Sequence, residues 1–199
     1  MRLGEPGHAI EREQLRGGVL SLDLATRTGW AFAPASAVPG WPRSQPFSAF
    51  ALIPAEPRPA VRFGTLVTSR AGSAHGERAA VLGDWLAAFQ RESDPGVIVI
   101  EQPMPAKFSK NLAATQIAIG LSMVVQSHAH RHGCSFRQVP IVSAKKWFGS
   151  KLQKNKAPMI ECARRLGWQV QSDHEADALA ILDLTLARAA AARVLRRAA

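Results

Sequence analysis

Acidic residues are in short supply in this chain. Only 15 Asp and Glu stand against 25 Lys and Arg, which gives 199 residues a formal charge of +10. That surplus favours a polyanionic partner, nucleic acid first and an anionic membrane surface second. Cysteine is scarcer still: Cys134 and Cys162 are too few for a disulfide framework, so a reducing cytoplasm is the expected setting. Long apolar runs are missing too. The longest, near 117–125, contains Gly120 and Ser122 and falls short of the ~18 residues a membrane span needs. The apolar stretch after Arg16 is interrupted by Asp23 and lacks a basic start with a long apolar core, so no secretory signal is expected.

What is present suits one domain. The hydrophobic share is 47%, and a chain of this size buries roughly 70% of its unfolded surface without needing staples. Residues 1–15 mix Gly, Pro and charge without periodicity and read as a mobile tail before a single domain over 16–199. Seven of the 13 prolines fall within 34–60, which excludes a helix there and reads as an insertion between strands. Elsewhere strands and helices alternate. Strands are expected at 19–24, 30–33, 63–68, 97–100 and 135–139, with Thr28-Gly29 as a turn between the first two. Helices are expected at 77–91, 111–130, 155–166 and 173–195, the last opened by a capping box of Ser172 and Glu175. Gly120 is read as a point of close helix approach. This order predicts an α/β fold with an early antiparallel meander and a later parallel part.

Three elements carry candidate chemistry. Alternation along Val-Leu-Ser-Leu-Asp-Leu (19–24) puts Leu20, Leu22 and Leu24 on one face and Val19, Ser21 and Asp23 on the other. A partly desolvated carboxylate at Asp23 is costly unless paired, protonated or metal-bound; a hydrogen bond into the following turn is an equal alternative. Val-Ile-Val-Ile (97–100) delivers Glu101 to the carboxyl end of a buried strand, where ligand sites of open α/β sheets lie. An isolated carboxylate at a strand exit is also common. Then comes Asp-His-Glu-Ala-Asp (173–177). His174 and Asp177 share a helix face, whereas Asp173 and Glu175 suit the helix dipole. Together Asp23, Glu101, His174 and Asp177 form an oxygen-rich set with one imidazole, suited to Mg²⁺ or Mn²⁺ rather than zinc. Two such ions about 3.5–4 Å apart can activate water and stabilise the leaving oxygen of a phosphodiester.

The segments Leu-Ser-Leu-Asp-Leu-Ala-Thr-Arg-Thr-Gly-Trp-Ala (20–31), Val-Ile-Val-Ile-Glu-Gln-Pro (97–103) and His-Glu-Ala-Asp-Ala-Leu-Ala-Ile (174–181) resemble the RuvC-type Holliday-junction resolvases. The likeness is greatest to phage and prophage members of that group, within the ribonuclease H-like superfamily. It runs from about 18 to about 186 and leaves 34–60 unmatched. The resemblance implies a Mg²⁺-dependent endonuclease acting on branched DNA as a homodimer in a bacterial or phage setting, associated with the nucleoid. It implies that Asp23, Glu101 and Asp177 match the family's metal-binding carboxylates, and that His174 falls where the family has Asp or His. The products would carry 5′-phosphate and 3′-hydroxyl ends.

The lysines add to this. Five of the seven lie between 145 and 156, namely Lys145, Lys146, Lys151, Lys154 and Lys156, with Trp147, Phe148 and Gly149 interleaved. One reading is a solvated face. The other is a phosphate-binding loop whose aromatics pack or stack against nucleotides. It resembles the family's basic loop, with Lys156 as the best match to the lysine that approaches the scissile phosphate and Lys154 as a second candidate. After Glu101, Lys107 and Lys110 flank Phe108, which could stack on an unpaired base or pack under its loop. His128, His130, His132 and Cys134 look like zinc ligands, but helical spacing lets only His128 and His132 share a face, so zinc is not expected. Competing readings are a same-superfamily nuclease for flaps, forks or structured RNA, an actin/sugar-kinase-like ATPase, and a DNA-binding module without catalysis.

Overall fold

The computed structural model describes residues 17–38, 41, 61–70, 72–104, 111–148 and 157–198. The tail, most of the proline-rich segment, Lys107, Phe108, Lys110, Lys151, Lys154 and Lys156 lie outside them. Five strands, β1 (Val19–Asp23), β2 (Arg27–Ala33), β3 (Arg62–Val67), β4 (Val97–Glu101) and β5 (Ser135–Val139), form one sheet in the order β3-β2-β1-β4-β5. β2 runs antiparallel to both β1 and β3, whereas β4 runs parallel to β1 and β5 parallel to β4. The expected meander followed by a parallel part is therefore the observed mixed sheet.

Both faces are covered. α1 (His75–Ser93) and α2 (Leu112–Arg131) bring Leu82, Leu86, Phe89, Leu121 and Val125 against Leu20, Leu22, Ile98 and Ile100. On the opposite face α3 (Ile141–Trp147), α4 (Ala157–Arg165) and α5 (Asp173–Ala198) pack on Val19, Ala31, Val97 and Val99. Central β1 is buried at every position, which is why its sequence is apolar on both faces except at Ser21 and Asp23. Ser21 resolves its own polarity by donating to the Ala178 carbonyl of α5 at 2.8 Å and to the Ala31 carbonyl at 3.2 Å. No helix among the described residues is long and apolar enough to cross a membrane.

Two expectations need correction. Thr28-Gly29 is not a turn but part of β2. The bend lies at Ala25-Thr26, where the Thr28 hydroxyl donates to the Ala25 carbonyl at 3.0 Å and the Thr68 hydroxyl to the Thr26 carbonyl at 2.9 Å. Lys145 and Lys146, expected to open a basic loop, instead belong to α3, a helix entered from Pro140, whose extended backbone sets the N-cap. Among the described residues of this chain nothing approaches Gly120: a Cβ there would meet nothing within 4 Å. The capping box is realised in modified form: the Glu175 amide donates to Ser172 Oγ at 3.2 Å, but the Glu175 carboxylate accepts from the Gln171 amide at 2.7 Å and from the Thr65 hydroxyl at 3.2 Å.

Candidate active site

Parallel pairing of β1 and β4 aligns Leu22 with Ile100, so the next residues, Asp23 and Glu101, leave the sheet side by side at its carboxyl edge. The amino-terminal turns of α5 cross this edge and add His174 and Asp177. The crossing is close because Gly29, paired with Asp23 across β1 and β2, has no side chain: a Cβ there would sit 1.9 Å from the His174 carbonyl oxygen. Gly29 is thus an approach point for α5, not a turn residue. Gly29→Ala should push the first turn of α5 off the sheet. The expected cost is roughly 1–3 kcal/mol, together with a loss of whatever activity His174 and Asp177 support. A melting curve and a cleavage assay check it; a variant with wild-type stability and rate would show that the collision is absorbed harmlessly.

The four predicted side chains do come together. His174 Nδ1 lies 3.0 Å from Asp23 Oδ2. Burial, then the charges of Asp23 and Asp177, push the Glu101 carboxyl up to about 8, and a hydrogen bond with Asp23 adds to this. Asp177 is pushed up to about 6, by burial first and the Asp23 charge second, while Lys145 opposes the shift. Like charges at close quarters in a desolvated place disfavour simultaneous ionisation. The buried Oδ1 of Asp177 has no hydrogen-bond partner; its nearest counter-charge is the Lys145 ammonium at 3.8 Å.

Lys145 is the residue whose place the sequence does not reveal. It belongs to α3 and reaches into the carboxylate cluster, whereas Lys146 is exposed on the same helix. The aromatics interleaved with these lysines are not presented for stacking on nucleotides. Phe148 is fully buried and stacks on Trp168 with centroids 6.2 Å apart, and Trp147 Nε1 donates to Asp183 Oδ2 at 2.8 Å.

No group of three or more His, Cys, Asp or Glu among the described residues is set to hold a metal ion as it stands. In the cluster the donors are engaged with each other and with Lys145. The donor chemistry nevertheless fits a hard divalent cation: three carboxylates and an imidazole, two of the carboxylates raised by burial and mutual repulsion, and one buried carboxylate oxygen without a donor. At the other pole of the sheet, His128 Nε2 lies 3.3 Å from Gln90 Oε1 and the Cys134 thiol donates to the Pro95 carbonyl at 3.0 Å. These groups are satisfied by hydrogen bonds.

No protein-family model and no curated protein matches the chain. Solved structures do. RuvC of Thermus thermophilus in complex with a Holliday junction substrate superposes with a TM-score of 0.59 at 14% identity, over 89% of this chain and 95% of that one. A second Thermus thermophilus RuvC structure gives 0.57 at 16% identity, over 89% and 96%. The yeast mitochondrial Holliday junction resolvase Ydc2 gives 0.56 at 14% identity, over 96% and 84%. The mixed sheet flanked by helices is the ribonuclease H-like fold of RuvC.

Proposed function

We propose that this chain is a metal-dependent nuclease that cuts four-way DNA junctions. One observation carries the reading: β1, β4 and α5 deliver Asp23, Glu101 and Asp177 to one desolvated place at the carboxyl edge of a sheet that has the RuvC fold. A surplus of ten positive charges supports a DNA substrate. So does the object bound by the first structural neighbour, a Holliday junction.

Asp23, Glu101, Asp177 and His174 would hold Mg²⁺, with Mn²⁺ as a substitute. Bound there, the ions supply Lewis-acid stabilisation of the charge that develops on a phosphodiester during in-line attack by water. The chain's own residues do the rest. Before a cation binds, Glu101 keeps a proton below about pH 8, which limits the repulsion among the three carboxylates, and it gives that proton up to become a ligand. His174 orients Asp23 across their 3.0 Å contact. Lys145 brings positive charge to the edge of Asp177, where the anionic phosphate must be accommodated. Lys146 and, from the sequence, Lys107, Lys110, Lys151, Lys154 and Lys156 would bind flanking phosphates, and Phe108 would stack on an unpaired base. Lys156 is the second candidate, after Lys145, for the scissile phosphate.

Resolving a junction requires two nicks, hence two active sites. A homodimer supplies them, and α2 offers an exposed apolar stripe for it in Leu112, Ile119 and Met123, spaced by seven and four residues.

The test is incubation with labelled four-way junction, flap, fork and linear duplex, with and without Mg²⁺. Paired nicks confined to the junction and dependent on Mg²⁺ are expected. Cutting of flaps or forks instead would reassign the substrate, and binding without cutting would leave a DNA-binding module. In the same assay, Lys154→Ala with Lys156→Ala should weaken binding and reduce the slope of log affinity against log salt by about 2, roughly one for each phosphate that its lysine no longer neutralises. An unchanged slope would make the lysine run a solvated face.

A further inference from the structure

α5 carries a second buried carboxylate that the site above does not use. Asp183 is 1% exposed, in a stretch otherwise made of Ala, Leu, Ile and Thr. Burying a carboxylate costs several kcal/mol unless strong donors meet it. Indole donors meet it at both oxygens: Trp147 Nε1 donates to Oδ2 at 2.8 Å, and Trp41 Nε1 donates to Oδ1 at 3.0 Å. The donors come from different parts of the chain, one from the end of α3 and one from the segment after β2.

The aromatic rings close this into a circuit. Trp41 stacks on Trp168 with centroids 6.4 Å apart, and Trp168 stacks on Phe148, the residue that follows Trp147. Trp168 follows α4, so the circuit grips the chain on both sides of 149–156, the stretch that carries Lys151, Lys154 and Lys156. α3 therefore meets α5 at two polar points: Lys145 against Asp177, and Trp147 against Asp183. Those points are six positions apart on α5, a rise of about 9 Å. An apolar pair at Trp147 and Asp183 would supply packing without fixing how far α3 slides along α5. Hydrogen bonds with both heavy-atom ends fixed do fix it.

We propose that Asp183 is a positioning residue: by holding the indoles of Trp147 and Trp41 it sets the register of α3 on α5, and so delivers Lys145 to Asp177. Its catalytic consequence rests on the nuclease reading given above; the register itself does not.

The experiment separates the two. Spin labels are placed at exposed Val142 on α3 and Arg188 on α5, after Cys134→Ser and Cys162→Ala, and their separation is measured by pulsed electron resonance in the full chain. One narrow distance is expected with Asp183 present. Asp183→Asn turns a carboxylate that accepts from both indoles into an amide whose nitrogen end is a donor, so the distance should broaden or shift. Junction cleavage, measured on unlabelled protein, should lose at least about tenfold in kcat, with junction affinity changed less than about threefold because phosphate contacts elsewhere dominate it. If Asp183→Asn does not fold, the triple variant Asp183→Leu, Trp41→Phe, Trp147→Phe removes the carboxylate and both indole donors together. It should recover the melting temperature without recovering the narrow distance or the rate. A folded variant with the wild-type distance overturns the proposal, as does a triple variant that recovers both distance and rate. A broadened distance with a wild-type kcat overturns the catalytic consequence. If the unaltered protein cuts no DNA, the nuclease reading falls and the distance alone decides the role of Asp183.

Discussion

Asp23→Asn is expected to abolish junction cleavage, by about a thousandfold or more, while junction binding stays intact or tightens slightly. The substitution keeps the shape of the side chain. It removes a negative charge and a strong metal-binding oxygen from the point where β1, β4 and α5 meet. Asp23 is also the charge that both other carboxylates feel: it helps raise Glu101 and is the leading charge acting on Asp177. Its loss should therefore let Glu101 and Asp177 ionise nearer their ordinary ranges, so the remaining cluster is not starved of charge. What it lacks is the third oxygen donor, and hydrolysis assisted by a metal depends on that donor set. DNA affinity comes chiefly from Lys and Arg and should survive; a carboxylate facing a polyanion opposes binding, so its removal favours the complex. Glu101→Gln and Asp177→Asn should behave alike, and the double variants should be no worse than the singles, because disabling one member disables the unit. Gel-shift affinity, single-turnover cleavage and a melting curve for each variant decide the matter. A folded Asp23→Asn protein that cuts at the wild-type rate would remove Asp23 from the site.

The strands and the four cluster residues are legible in the sequence because each is signalled locally. Alternation places Ser21 and Asp23 on the opposite face from Leu20 and Leu22, and the packing of those leucines against α1 and α2 agrees. The apolar run ending at Glu101 suits only a strand covered on both faces. Gly29 misleads because a Thr-Gly pair is an ordinary turn signal, whereas the demand for glycine comes from α5, far along the chain, through a backbone approach that leaves no trace in local pattern. α3 is hidden for a related reason. Ile141 and Val142 have weak helix propensity and Lys145 and Lys146 look solvated, yet the helix is held by Phe148, buried in the core, and by the Trp147 bond to Asp183. The same tertiary contacts turn Lys145 inward to Asp177. Asp183 has a faint signal, a charged residue amid an apolar helical run, but nothing nearby names its partners, since Trp41 lies 142 residues away.

Charge repulsion in the cluster makes a divalent cation and protons competitors, and the sign of that competition is fixed. Glu101 is raised to about 8 and Asp177 to about 6, in both cases by burial first and by Asp23 among the charges, with Lys145 pulling the other way on each and His174 on Asp177. For a carboxylic acid raised in the folded state, the native protein binds more protons than the unfolded chain between the ordinary value near 4 and the raised one. Stability from these groups is therefore fully present at low pH and declines as pH rises through about 6 and then about 8. Metal-free protein should accordingly lose melting temperature between about pH 5 and about pH 8 through this cluster. Mg²⁺ or Mn²⁺ binding must release the protons, so affinity should strengthen over the same window and the added stabilisation should be larger at about pH 8 than at about pH 6. Calorimetry in buffers of different ionisation enthalpy should count about one proton released per binding event near pH 7, chiefly from Glu101. Glu101→Gln supplies the internal control. A neutral amide mimics the protonated acid, so this variant should be more stable than wild type at about pH 8 without metal, should melt with a flatter pH dependence, and should release correspondingly fewer protons. Because other groups also titrate in this range, the deciding quantity is the difference between wild type and Glu101→Gln. If that difference is the same at about pH 5 and about pH 8, and Mn²⁺ stabilises both proteins equally at each pH, Glu101 carries no proton for a cation to displace.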